Sequence, residues 1–289
     1  LSLSIVKSVH DFNFYQFKYM KKIFSMVIAA VLLAIASCST VPLTGRNRLS
    51  LINDSALQQQ AASAYAQLLS DPKTKVVATN AAETQRIKTV GARISAAVTK
   101  YMNANGYGAQ ISNYKWEFNL IESPEINAWC MPGGKVAVYT GILKVTKDDA
   151  GLATVMGHEI AHAIAQHSAE RASQMMAAQG VGAVVGVAAG NQSETTQTVI
   201  NQLYGIGAQG LVILPNSRKQ ELEADKMGLA FMAMAGYHPQ SAVSFWQRMA
   251  EASKGTAKPP VFLSTHPTDE ARIAQIERDL PEAMKYYQK

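Results

Sequence analysis

His158-Glu159-Ile160-Ala161-His162 is the stretch on which the reading of this sequence turns. Leu152, Val155 and Met156 precede it at helical spacing, so the five residues belong to a helix. Histidines four apart stand one above the other on a helix face, and two imidazoles so placed share one metal ion. Glu159 projects beside the pair, where it accepts a proton from water activated by that metal. The chain has six histidines and thirteen glutamates. Chance would give this pattern in roughly 0.006 sequences of that composition, which disfavours the plainer reading of a solvated helix face with two histidines.

A catalytic zinc needs a third protein ligand and an open position. One common arrangement places a glycine three residues after the second histidine and a third histidine three further on. Ala165 and Ser168 stand at those places, and His167 is off by one. Downstream, Glu221-Leu222-Glu223-Ala224-Asp225 opens another helix, with Glu221 and Asp225 four apart on one face. A ligating carboxylate, with an acid one turn later to hold a ligating imidazole, is the gluzincin arrangement. The expected zinc ligands are therefore His158, His162 and Glu221, with Asp225 behind them. Glu223, on the opposite face, is the alternative third ligand.

Around this core, the chain reads as two long helices, near 53–69 and 81–102, followed by strands. Ile87, Val90, Ile94 and Val98 fall at helical spacing; Trp116, Phe118 and Leu120 alternate with polar residues. A second strand is expected at 135–140 after the Pro132-Gly133-Gly134 turn. From Asp148 onward the pattern is mostly helical. Strands before 147 and helices after it make the class α+β, a mainly helical zincin with a small sheet. An apolar Gly/Ala/Val run at 180–190 is too short to span a bilayer and reads as a tightly packed helix.

The motif helix, the Ser217-Arg218 lead-in to Glu221–Asp225, and the stretch from Asn127 through Trp129, Met131 and Gly134 to Lys135 together resemble metallopeptidase family forty-eight. That is the family of the HtpX heat-shock protease and the CaaX prenyl protease. The resemblance runs from about Leu49 to Leu280, and Thr44-Gly45-Arg46-Asn47-Arg48-Leu49 is similar to the start of its compact periplasmic lipoprotein members. It implies a zinc endopeptidase with one Zn²⁺ per chain, Glu159 as base, and protein or peptide substrates. It also implies that residues 136–141 form an edge strand bordering the active-site helix and pairing with substrate, with Asn127, Ala128, Val136 and Val138 as contacts. His266 and Arg272 would lie near the metal and bind the developing oxyanion, unless they merely cap a turn and form a surface ion pair. Two departures are expected, no spanning helices and no appended helical repeat domain.

The N-terminus reads as a targeting segment. Lys21-Lys22, an apolar run at 23–35, and Ala36-Ser37-Cys38 have the build of a signal peptide ending in a lipobox, with Cys38 as the lipidated residue. Met20 is the expected start of that signal. The expected organisation is a leader at 1–37, a lipidated tether at 38–50, and a protease domain at 51–289. In a Gram-negative host, Ser39 after the cysteine points to the outer membrane, facing the periplasm; in a Gram-positive host the outer surface of the single membrane takes its place. Without the leader, 23 basic and 20 acidic residues remain, too mild a balance to argue for nucleic acid. No oligomeric state is read from the sequence. Cys130 has no partner within the chain and is expected to be a buried thiol; His167 and His238 read as structural. The competing functional class is an envelope chaperone or assembly factor with a zinc-bound groove and little turnover.

Overall fold

The computed structural model describes residues 38–178, 217–254, 260–266 and 270–287, together with Met20 and two short strands, Ile206–Gly207 and Gly210–Leu211. The leader (Met20 apart) and the apolar run at 180–190 lie outside the described residues. Asn53 caps the first long helix, α1 (Asp54–Ser70), by accepting from the main-chain N–H groups of Ser55 and Ala56. The second, α2 (Ala82–Ala104), buries Ile87, Val90, Ile94, Val98 and Met102 along one face, as the periodicity requires. Among the described residues no helix is long and apolar enough to cross a membrane.

Residues 38–50 are not a tether. Cys38–Thr40 (β1) and Asn47–Leu49 (β2) pair antiparallel, with Val41 fully buried at the turn. Arg46 reaches Glu170 and Glu223, and Arg48 is buried. The turn formers that suggested a linker close a hairpin instead, and it is tied down by acids far away in sequence.

The central sheet has three strands: β3 (Glu117–Ile121), β4 (Ala128–Met131) and β5 (Lys135–Tyr139), in the order β3-β5-β4. β5 runs parallel to β3 and antiparallel to β4, so it is the middle strand and not the edge. Val136, Ala137 and Val138 are all completely buried, as expected for a strand covered on both faces. The edge beside the active-site helix is β4. Gly133 and Gly134, at φ +82° and +83°, close the β4–β5 turn in a conformation that other residues rarely adopt.

Among the described residues the main elements after the sheet are helices: α3 (Asp149–Ile164), α4 (His167–Ala178), α5 (Arg218–Met234), α6 (Ser241–Ser253), α7 (Val261–Thr265) and α8 (Glu270–Ala283). Asp148 caps α3 through Gly151 N at 2.7 Å, and every α3 residue from Gly151 to Ile164 is buried. Such a helix is a core element, packed on several sides at once. It lies against β4, α2, α5 and α6. Its crossing with α5 is close. A Cβ on Gly228 would stand 2.9 Å from His158 N, and one on Gly157 would stand 3.0 Å from Gly228 O. The two glycines let the backbones touch, which brings the acids of α5 to the histidines of α3.

Candidate active site

Ser217 opens α5 with a capping box: its side chain accepts from Gln220 N, and the Gln220 side chain returns to Ser217 N. One turn into the helix, Glu221 faces α3. His158 Nε2 and His162 Nε2 are 3.0 Å apart, and each is 3.4 Å from a Glu221 carboxylate oxygen. His266, at the end of α7, completes the group. Its Nδ1 is 3.2 Å from His158 Nε2 and 2.9 Å from Glu221 Oε1. The four donor atoms lie within 4.8 Å of one another, and all four residues are buried. Donors about 2.0–2.1 Å from one tetrahedral zinc are about 3.3 Å apart. The observed spacings match that shell, and the N₃O donor set suits zinc.

The surroundings orient each candidate ligand. His158 Nδ1 is 2.9 Å from Asp225 Oδ1, which leaves Nε2 with its lone pair toward the metal position. Burial alone would lower the His158 pKa, but Asp225 and Glu221 outweigh it and raise it. Burial holds His162 well below its ordinary value, so it is neutral, as a ligand must be. Burial opposes charge on Glu221, yet the surrounding histidines hold its carboxyl well below the usual range. Trp246 forms an apolar wall, edge-on to His158 at 5.5 Å.

Glu159 is buried, with Oε1 lacking a hydrogen-bond partner and 3.4 Å from His266 Nε2. Burial pushes its pKa up to about 7, against the pull of His266 and Arg272 and a hydrogen bond from the Cys130 main chain. A carboxylate tuned near 7 both accepts and returns a proton at neutral pH. Cys130 is half-buried on β4, and burial, then Glu159, pushes its thiol well up, leaving it a poor nucleophile.

Two expectations are revised. Arg272 is not free for an oxyanion: Nε and Nη2 grip Asp225 at 2.6 and 2.9 Å, and Nη1 is 2.9 Å from Glu221. Its guanidinium lies over the Trp246 ring at 3.9 Å. It holds Asp225, which holds His158, and it reaches the candidate ligand Glu221 directly. Val136 and Val138 are interior side chains of the middle strand, while Asn127 precedes and Ala128 begins the edge strand β4. The fallback ligand, Glu223, points away from the metal position to His167, Arg46 and Thr44. His167, read as structural from its sequence position, touches a ligand: its Nδ1 is 2.7 Å from His162 Nδ1. Gln166, at φ +55°, turns the chain after α3, and this brings His167 back over His162.

Residues 88–279 match the model of peptidase family M48. The chain belongs to that family. All four residues of the donor set lie within the matched stretch. Its relatives include mitochondrial metalloendopeptidase OMA1 of Schizosaccharomyces pombe, 35% identical over 243 residues, which cover 84% of this chain and 66% of the relative. The human metalloendopeptidase OMA1 is 29% identical over 84% of this chain and 46% of its own length. The beta-barrel assembly-enhancing protease of Escherichia coli is 27% identical over 61% of this chain and 38% of its own length. The chain therefore spans from about a third to about two thirds of the length of the curated relatives it matches.

Proposed function

We propose that this M48 peptidase is a lipid-anchored endopeptidase of the bacterial cell envelope that cleaves unfolded or misassembled proteins. Glu159 carries the catalytic part of the reading. It is buried beside a convergent zinc ligand set and has one unpartnered oxygen. A groove that only bound peptides would not require a carboxylate there, which disfavours a chaperone with little turnover. When bound, zinc supplies Lewis acidity at the scissile carbonyl and lowers the pKa of water to about 7. Glu159 takes the proton of the attacking water and delivers it to the leaving amine. β4 offers a sheet edge to an extended peptide, and its Cys130 main chain already bonds Glu159. Main-chain pairing holds a substrate whatever its side chains, which suits unfolded chains.

His266 occupies the fourth donor position of the cluster, the place an open catalytic zinc keeps for water. We read this as a resting form that substrate displaces. His266→Ala then increases cleavage of an unfolded casein-type substrate, provided that a donor other than Arg272, which Asp225 holds, meets the oxyanion. If His266 instead supports the transition state, turnover falls about ten- to a thousandfold with zinc unchanged.

The location rests on Ile35-Ala36-Ser37-Cys38 and on relatives from Escherichia coli and Yersinia pestis named as assembly-enhancing proteases. The expected site is the periplasmic face of the outer membrane. Labelled fatty acid should enter the protein and be lost in Cys38→Ser. Recovery of the wild type as a soluble, unlipidated protein, or from a mitochondrial fraction as the OMA1 names would have it, overturns this location.

A further inference from the structure

A second polar cluster lies behind the metal site and runs to the surface in one line. His162 turns Nε2 toward the other ligands, so its Nδ1 carries the proton and donates to His167 Nδ1 at 2.7 Å. That leaves the His167 proton on Nε2, which donates to Glu223 Oε2 at 3.0 Å. Glu223 accepts in turn from Thr44 Oγ1 at 2.6 Å and Arg46 Nε at 2.7 Å. Arg46 is itself oriented by a two-pronged pair with Glu170, at 2.6 and 2.8 Å, and Gln220 donates to the same Glu170. His167 is wholly buried, and Glu170 and Glu223 nearly so.

We propose that the β1–β2 hairpin is a positioning element of the zinc site, acting through Arg46, Glu223 and His167 to fix the ring and tautomer of the ligand His162. The proposal rests on the zinc reading above. Every link in the line has its proton direction set by the next, and Glu223 is the only carboxylate that the described contacts give His167. A buried ion cluster contributes little net stability compared with apolar packing of the same volume, so stability alone does not account for it. Groups that hold a metal-ligating imidazole change metal affinity about 10–100-fold when removed. Because β1 begins at Cys38, the segment that would leave the lipid anchor is the same one that shapes the site.

The test is zinc affinity of the purified protein, measured by competition with a chromophoric chelator. Beside it go the visible spectrum of the cobalt-substituted protein and thermal unfolding of the metal-stripped protein. Arg46→Gln, on the half-buried hairpin, and His167→Phe should each weaken zinc about 10–100-fold and shift the cobalt bands. His167→Asn can accept from His162 and donate to Glu223, so it should recover most of the affinity. The metal-stripped variants should melt close to the metal-stripped wild type. Unchanged zinc affinity and cobalt bands in folded Arg46→Gln would overturn the proposal. So would a metal-stripped melting loss as large as that of the loaded protein, which would make the hairpin merely structural. A wild type without tight zinc would overturn the metal site itself, and the proposal with it.

Discussion

Gly228→Ala isolates the step by which the fold makes the site. The added Cβ would lie 2.9 Å from His158 N and 3.1 Å from Gly157 C and His158 Cα. Those are backbone atoms of a fully buried helix, so they have no side-chain freedom with which to give way. Favourable non-bonded separations are about 3.5–4.0 Å, so α3 and α5 must part by about 0.5–1 Å at the crossing. Glu221 and Asp225 lie within two turns of Gly228 on the same helix and move with it, while zinc sites tolerate about 0.2 Å in ligand distance. Overpacking costs about 1–3 kcal/mol. Alanine's better helix propensity offsets about 1 kcal/mol of that. The metal-stripped variant should therefore melt only about 0–8 °C lower, at about 2–4 °C per kcal/mol for a domain of this size. Zinc affinity should fall much further, by about tenfold or more. Chelator competition and differential scanning calorimetry read the two effects separately. A Gly228→Ala protein that binds zinc like the wild type would refute the view that this glycine contact sets the ligand geometry.

Two further substitutions probe the shell behind the ligands. Asp225→Asn keeps the shape and the contact to His158 but removes the charge, and zinc affinity should fall about 10–100-fold in the same competition assay. Arg272→Leu leaves Asp225 buried without its two-pronged partner and should cost about 3–5 kcal/mol in urea unfolding. Lysine at 272 should rescue little of that, because a point charge cannot grip both carboxylate oxygens in the same plane.

The parts of the fold legible in the sequence were those with local signals. Asn53 and Asp148 are capping residues with side chains that bond their helices, and the α2 periodicity puts Ile87 through Met102 on one buried face. The convergence of the candidate site was legible for the same reason: spacings of four place His158 with His162, and Glu221 with Asp225, on single helix faces. β4 was not, because Ala128-Trp129-Cys130-Met131 is an unbroken apolar run without alternation, and its role as the edge depends on which strand β5 pairs with. The hairpin at 38–49 was missed because its anchors, Glu170 and Glu223, lie more than a hundred residues away. His167 was discounted on helical register, which holds only while the helix continues; the left-handed turn at Gln166 ends it. Arg272 was expected at an oxyanion or in a surface ion pair; it forms a buried pair with Asp225, which nothing local in the sequence indicates.

The most direct test of the central claim compares wild type and Glu159→Gln for zinc content and for cleavage of an unfolded protein substrate. Glutamine keeps the size of the side chain and leaves His158, His162 and Glu221 in place, so both proteins should carry about one zinc per chain. Cleavage should be chelator-sensitive in the wild type and lost in the variant, with the wild-type cuts falling at internal peptide bonds. Equal cleavage by the two proteins would contradict the assignment of Glu159 as the base.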